Sequence, residues 1–324
     1  MPESIKNISV LMAAYNCGNY INAAIKSILN QTFKEFELII IDDGSTDHTE
    51  ETVKKFDDSR IIYKKTENKG TSAALNYGLS LASYDWVARI DADDLNVPAR
   101  LDKQVKFLEE NPDYDIISSW SVYFKEPSKI LFLLREPVEH DDIYYYLDLH
   151  NPLNQSSAMY RKNKILEFKY NENYRSNEDF ELFHRVRDKV KFYILPEFLV
   201  YTRVRKNSKT FTMSNRNIYE FLFPYAFKSM MEAKSKGEHF FWASNIAWLN
   251  FFYGDRKDSR SYFRTSVSFR NFIAYITTFL PEKYFNKLID SRIKYRIKSL
   301  FSNNNTYKTE LNKLLNPNGG NKKI

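Results

Sequence analysis

The succession of apolar runs and amphipathic segments over the first 125 residues constrains this chain more than any other feature. "ISVLMAAY" (8–15) is a short apolar run without clean alternation, the pattern of a strand buried on both faces. "NYINAAIKSILNQT" (19–32) then places Ile21, Ala24, Ile25 and Ile28 at helical spacing. "FELIIIDDGSTD" (36–47) reads as a second strand, and "DHTEETVKKF" (47–56) as a helix with Asp47 as N-cap. "RIIYKK" (60–65), "DWVARIDADD" (85–94) and "YDIISSWSVYF" (114–124) read as further strands. Between them "GTSAALNYGLSLA" (70–82) and "VPARLDKQVKFLEENP" (97–112) read as helices. Strand and helix in turn predict right-handed βαβ units, a mostly parallel sheet and an α/β fold. Ligands of such sheets bind beyond the carboxyl ends of the strands. Both acidic clusters, Asp42–Asp43 and Asp91–Asp94, fall at such ends.

Asp91, Asp93 and Asp94 crowd three carboxylates into four positions. Residues i and i+2 leaving an extended strand point the same way, so Asp91 and Asp93 are expected to converge, which is costly unless a cation lies between them. A hard divalent ion with open positions suits such a pair, and phosphate oxygens can complete its shell. Asp47 and Asp94 read instead as cap or turn residues. With 8 glycines in the chain, neither G-x-G-x-x-G nor G-x-x-x-x-G-K-[ST] occurs, which argues against a dinucleotide fold and a P-loop.

Charge divides the chain. Residues 1–215 carry 29 basic and 33 acidic side chains, residues 216–302 carry 15 and 7, and residues 303–324 carry 4 and 1. The net charge of +7 therefore belongs to the C-terminal third, which points to a boundary near 215 and an acidic partner. In "YFNKLIDSRIKYRIKSLF" (284–301), Phe285, Leu288, Ile289, Ile293, Ile297 and Leu300 form an apolar stripe flanked by Lys287, Arg292, Lys294, Arg296 and Lys298. Such a helix either lies on an anionic membrane surface or docks on the rest of the chain with a solvated basic face. No nucleic-acid recognition motif accompanies the charge. "FIAYITTFL" (272–280) is about half the ~20 residues that span a bilayer, one cysteine (Cys17) makes no intrachain disulfide, and the N-terminal stretch lacks a signal-peptide pattern. A cytoplasmic protein, or one peripheral on the inner face of the plasma membrane, is expected.

Five motifs in register carry a family likeness: "V-L-M-A-A-Y-N" (10–16), "S-I-L-N-Q-T" (27–32), "D-D-G-S-T-D" (42–47), "N-K-G" (68–70) and "D-A-D-D" (91–94). Together they resemble the family 2 glycosyltransferases with the GT-A fold, densely over residues 8–125 and more thinly to about 205. The resemblance implies a GT-A catalytic domain, which the charge boundary sets at 1–215; charge and helical patterning give a basic α-helical region over 216–302, and polar composition a flexible, frayed tail over 303–324. The resemblance also implies transfer of a sugar, usually with inversion, from a nucleotide-diphosphate donor, typically a UDP-sugar, to a hydroxyl of a glycan or lipid-linked acceptor. Carried over position by position, Asp43 meets the donor base, Ala13 and Tyr15 line the same pocket, and Lys69 and Gly70 belong to the loop that approaches the donor. Asp91 faces the ribose or the metal. Asp93 faces Mn²⁺ or Mg²⁺ on the diphosphate. Asn76 and Arg100 match family positions and equally suit helix packing.

An inverting transfer needs a base for the acceptor proton, placed away from the metal pair. "YRSNEDFELFHRV" (174–186) resembles the family's E-D motif, which makes Asp179 the base and Glu178 its neighbour or an acceptor contact. "HNPLNQSSAMYRK" (150–162) resembles an acceptor-side segment, with His150 and Asn154 facing the sugar. Arg203 or Arg205 of "YTRVRKNSKT" (201–210) would close over the diphosphate. Q-x-x-R-W, the mark of processive members, is missing, so one sugar is expected per encounter. Two other classes compete. A sugar nucleotidyltransferase would need a basic or Gly-rich grip near the N-terminus, which "AAYNCGNY" (13–20) lacks. A non-catalytic nucleotide-binding scaffold would be free to lose Asp43, Asp93 or Asp179, and all three are present.

Overall fold

The computed structural model describes residues 4–205 except 127, 149, 175 and 176, together with 231, 232, 259, 314 and 315. The chain separates into two compact units. One comprises Met1–Tyr144, Asn151–Arg205 and Phe301–Ile324, the other Tyr145–His150 and Lys206–Leu300. The boundary expected at 215 and the basic helix 284–301 lie outside the described residues.

In the first unit the predicted alternation is present. Strands β1 (Ile8–Ala14), β2 (Phe36–Asp42), β3 (Ile61–Lys65) and β4 (Trp86–Asp91) alternate with helices α1 (Ile21–Leu29), α2 (Thr49–Val53) and α3 (Thr71–Leu81). β1 pairs in parallel with β2 and β4, and β2 with β3. β1 is covered on both faces, which is why its apolar run does not alternate. The helix expected over 47–56 is shorter than its sequence pattern. Asp47 stands one residue before its N-cap, His48, and accepts from the Thr49 amide at 3.0 Å.

A second half follows in a different style. β5 (Leu95–Asn96), α4 (Arg100–Glu110), β6 (Ile116–Lys125), β7 (Lys129–Leu134), α5 (His140–Tyr146), β8 (Met159–Arg161), α6 (Lys162–Phe168), α7 (Glu178–Val186) and β9 (Phe192–Arg203) complete the elements. Among the described residues the sheet has nine strands in the order β3-β2-β1-β4-β8-β6-β9-β5, with β7 on β6. The short β8 inserts antiparallel between β4 and β6, so the sheet is mixed rather than wholly parallel. β9 runs parallel to β6 with its register shifted around Trp120, beside Pro196, a residue with no N–H to offer a ladder. The main core packs α1 and α4 against β1, β2 and β4. A smaller cluster holds Leu95, Val122, Phe124, Leu133 and Tyr201. Leu314 and Leu315, in the tail expected to be polar and frayed, are helical and pack on it, since paired leucines bury apolar area there.

Candidate active site

Parallel pairing puts the ends of β1, β2 and β4 side by side. Ala13 stands opposite Ile41 on one flank and Asp91 on the other, and Ala14 opposite Asp42. The loops leaving β1 and β2 latch together. The Asn16 amide donates to Ser45 Oγ at 2.9 Å, Asn16 Oδ1 accepts from the Thr46 amide at 2.9 Å, and the Gly18 amide donates to Asp47 Oδ2 at 2.9 Å. "A-Y-N" and "D-D-G-S-T-D" are thus two sides of one latch, which leaves Tyr15 49% exposed above the partly buried Ala13. Gly44 closes the β2 turn at φ 74, and a Cβ there would meet the Asn68 amide nitrogen at 2.8 Å.

Asp43 is buried and bridges to the next loop. Its Oδ1 accepts from the Lys69 amide at 2.8 Å and its Oδ2 from the Gly70 amide at 2.9 Å. Asp43, Lys69 and Gly70 therefore form one unit, with Gly70 at φ 97 ahead of α3. Asn76 of α3 donates to Tyr170 O and accepts from the Tyr170 amide, both at 2.9 Å, so it ties helix to loop.

Asp91, Asp93 and Asp94 come together, but not as a pleat would bring them. β4 ends at Asp91 and the chain turns, with the Asp94 amide donating to Asp91 O at 3.1 Å. Each carboxylate takes its own partner. Asp91 Oδ1 accepts from Arg89 Nη2 at 2.8 Å, and Asp93 Oδ2 pairs with Arg205 Nε at 2.6 Å. Asp94 is not a solvated turn residue. It is buried, and its Oδ1 accepts from the Arg203 amide at 2.8 Å. Burial pushes Asp93 up to about 6 against the pull of Arg205, with Asp91 adding to the push. Burial, then Asp93 and Asp91, also raise Asp94. Burial is thus the main reason that both sit above the usual carboxylate range.

The donor set suits a hard cation: carboxylate oxygens only, with the Asp91 side chain 45% exposed. Among the described residues no group of three or more His, Cys, Asp or Glu makes a complete metal cage. Asp91 and Asp93 would therefore leave coordination positions to a ligand.

Arg203, expected at the diphosphate, is buried with Nε donating to Asp93 O at 2.7 Å, Nη1 paired with Glu126, and its guanidinium over the Tyr20 and Phe124 rings. It holds the turn from beneath, whereas Arg205 presents its charge to Asp93 itself. Arg100 is likewise structural. Its fully buried guanidinium donates to the carbonyls of Arg89 (2.8 Å), Ser156 (3.0 Å) and Ala158 (3.1 Å) and reaches Asn96. Burial and nearby Arg89 lower it to about 9.

Asp179 lies in the first turn of α7, after Asn177 at φ 58, with Phe180, Phe183 and Val186 buried behind it. Burial, then Glu178, push its carboxyl up to about 7. Asn151 Nδ2 donates to its Oδ2 at 2.9 Å. Asn154 faces the frame rather than an acceptor. Its Nδ2 donates to Ser121 Oγ (2.7 Å) and Thr202 Oγ1 (3.0 Å), and its Oδ1 accepts from the Ser156 amide (2.8 Å). His150 belongs to the second unit, where its ring meets Tyr146 edge-on at 5.3 Å. Two residues of the site, Arg89 and Asn151, carry no motif. The signal for Arg89 is a cation inside an apolar strand two residues before Asp91.

The pattern described as Glycosyl transferase family 2 matches residues 9–175. The chain belongs to that family. The match ends before Glu178 and Asp179. An uncharacterized glycosyltransferase of Methanocaldococcus jannaschii is 33% identical over 256 residues, 76% of this chain and 85% of that protein. The UDP-Glc:α-D-GlcNAc-diphosphoundecaprenol β-1,3-glucosyltransferase WfaP of Escherichia coli is 38% identical over 125 residues, 38% of this chain and 49% of that protein. Staphylococcus aureus TarS 1-349 in complex with UDP-GlcNAc is similar in structure, with a TM-score of 0.56 at 18% identity, covering 94% of this chain and 90% of that one. So is the mannosyltransferase PcManGT of Pyrobaculum calidifontis in complex with GDP-Man and Mn²⁺, with a TM-score of 0.57 at 15% identity, covering 98% and 90%. The fold is GT-A, in agreement with the expectation from the sequence motifs. Among the described residues no helix is long and apolar enough to cross a membrane.

Proposed function

We propose that this family 2 glycosyltransferase moves one hexosyl or N-acetylhexosaminyl group, with inversion, from a UDP-sugar to a hydroxyl of a glycan or lipid-linked acceptor. The product belongs to bacterial capsule, exopolysaccharide or lipopolysaccharide synthesis, made at the inner face of the plasma membrane. The observation that carries this reading is Asp179, a carboxylate raised to about 7 on a different element from the strand-end acids. A base poised near neutral pH accepts a proton and still releases it.

Tyr15 and Ala13 take the donor's nucleoside, beside the Asp43–Lys69–Gly70 unit. Asp91 and Asp93 would hold Mn²⁺ or Mg²⁺, which when bound neutralises charge developing on the leaving diphosphate. Arg205 adds its charge at the same place, and Arg203 and Asp94 keep the turn in shape. Asp179 takes the acceptor's hydroxyl proton. The freed oxygen pair forms the new bond to the anomeric carbon, and the diphosphate leaves with the pair of the old one. Burial holds Asp179 high, and the charge of Glu178 adds to it.

Asp179→Asn tests the assignment. It should bind a UDP-sugar with Mn²⁺ as the parent does, read by thermal shift across a panel of nucleotide sugars, and lose transfer by roughly 10²–10⁴-fold. Transfer at the parental rate would remove Asp179 from the base role. Failure of every nucleotide sugar to bind, with or without metal, would sink the function.

A further inference from the structure

We infer that Asn151 is the positioning residue of the Asp179 carboxylate, clamping Oδ2 so that the carboxylate meets the acceptor's hydroxyl in one orientation. The inference rests on the base role proposed above for Asp179.

Chemistry decides which way the Asn151 amide points. Its Nδ2 stands 2.9 Å from Asp179 Oδ2, and its Oδ1 stands 3.1 Å from the Leu153 amide. An ionised carboxylate only accepts and a backbone amide only donates, so the flipped amide would set oxygen on oxygen and N–H on N–H. A donor therefore faces Asp179.

The donor is also held still. Pro152 restricts the backbone of Asn151 to extended conformations, and Leu153 is buried. Asn154 is bonded to Ser121 of β6 and Thr202 of β9. Ser157 Oγ bonds Ser118 Oγ at 2.8 Å and the Ser119 amide at 3.0 Å. Ser156 Oγ accepts from the Asp91 amide at 3.0 Å. The segment 151–157 thus grips the sheet and the end of β4, and carries its first side chain to Asp179. A site held by a rigid element keeps its geometry through the reaction.

The Asn151 amide on Oδ2, together with the backbone amides of Asp179 and Phe180 that also donate to the carboxylate, fixes its plane, and the proton from the acceptor hydroxyl goes to the lone pair left open. The hydroxyl oxygen's pair becomes the glycosidic bond, and the diphosphate departs with the pair of the broken one. The same hydrogen bond favours the ionised carboxylate. It works against burial and against the charges near Asp179, Glu178 on α7 and Asp91 at the end of β4, while Tyr123 on β6 and Tyr170 after α6, both raised and so neutral, add no charge there.

The test is the pH profile of kcat, which rises as the base loses its proton. In Asn151→Ala the rising limb should move to higher pH by about 1 unit or more, with the donor KM unchanged. Asn151→Asp, nearly the same shape, should move it further, since a second carboxylate then faces the first. Asn151→Ala placed in Asp179→Asn should add little to the loss already present. Limbs that stay where they are in both single variants, or a donor KM that rises as kcat falls, would overturn the positioning role. Should Asn151→Ala not fold, Asn151→Asp carries the measurement alone. Loss of transfer in Asp179→Asn with unmoved limbs defeats only this inference, whereas parental transfer in Asp179→Asn defeats the base itself.

Discussion

The two halves of the sheet place their carboxylates by opposite means. On the β3-β2-β1-β4 side, parallel register does the work: Asp91 comes level with Ala13 and Asp42 with Ala14 because neighbouring strands end together. Backbone amides then finish the site, as Lys69 and Gly70 do for Asp43. On the β8-β6-β9-β5 side the strands are short or shifted, and side chains do the positioning. Asn151 anchors Asp179, Asn154 spans β6 and β9, and Asn76 fixes the loop before α7. One half builds from ladders that any suitable apolar run can form. The other builds from individual polar side chains, each of which must be the right one.

The largest test of that contrast is the seam. Arg100 joins β4 and the 156–158 segment through the carbonyls of Arg89, Ser156 and Ala158, and β5 through the side-chain oxygen of Asn96. Arg100→Met leaves buried carbonyls without a donor and should cost about 2–4 kcal/mol, lowering Tm by on the order of 10 °C in a thermal melt. Halves that stand independently would instead melt near the parental temperature. Next comes Asp43→Ala, which frees the Lys69 and Gly70 amides. Calorimetric titration should show UDP affinity roughly 10–100-fold weaker, with the Asp179 pH limb unmoved. A moved limb would mean that the halves are electrostatically one site. The smallest effect concerns stability. The carboxyl of Asp179 sits above its ordinary value in the fold. Its contribution is therefore complete below about pH 4 and lost as pH rises through about 7. Asp179→Asn does not titrate, so its Tm should gain on the parent by roughly 2–4 °C from pH 5 to pH 8. A constant difference would contradict the raised value.

The same contrast explains how much of the molecule is legible in its sequence. The first half is legible because burial on both faces writes itself as apolar runs, and strand-end acids stand out against them. Asp43, Asp91 and Asp93 follow from that pattern, and Asp179 from its likeness to the family's E-D motif. β5 and β8 are not legible, being two and three residues long. β9 is hidden by Pro196, which reads as a break until the register shift beside it is known. Arg89 passes for one polar residue in an apolar run, although it is fully buried and grips Leu11 O at 2.9 Å. In "HNPLNQ" the family likeness points to His150 and Asn154. The residue that touches Asp179 is Asn151, and no spacing rule separates the asparagine that frames from the one that points.

Arg100 also sets a clock for biosynthesis. Its guanidinium must wait for Ala158, 58 residues further along the chain, before its hydrogen bonds are complete. At ~5–20 residues per second that is roughly 3–12 s on the ribosome. During that interval the parallel half of the sheet can pair strand by strand, while the cation meant for its interior still faces water. Arg100 thus has its full set of acceptors only once the 156–158 segment has been made.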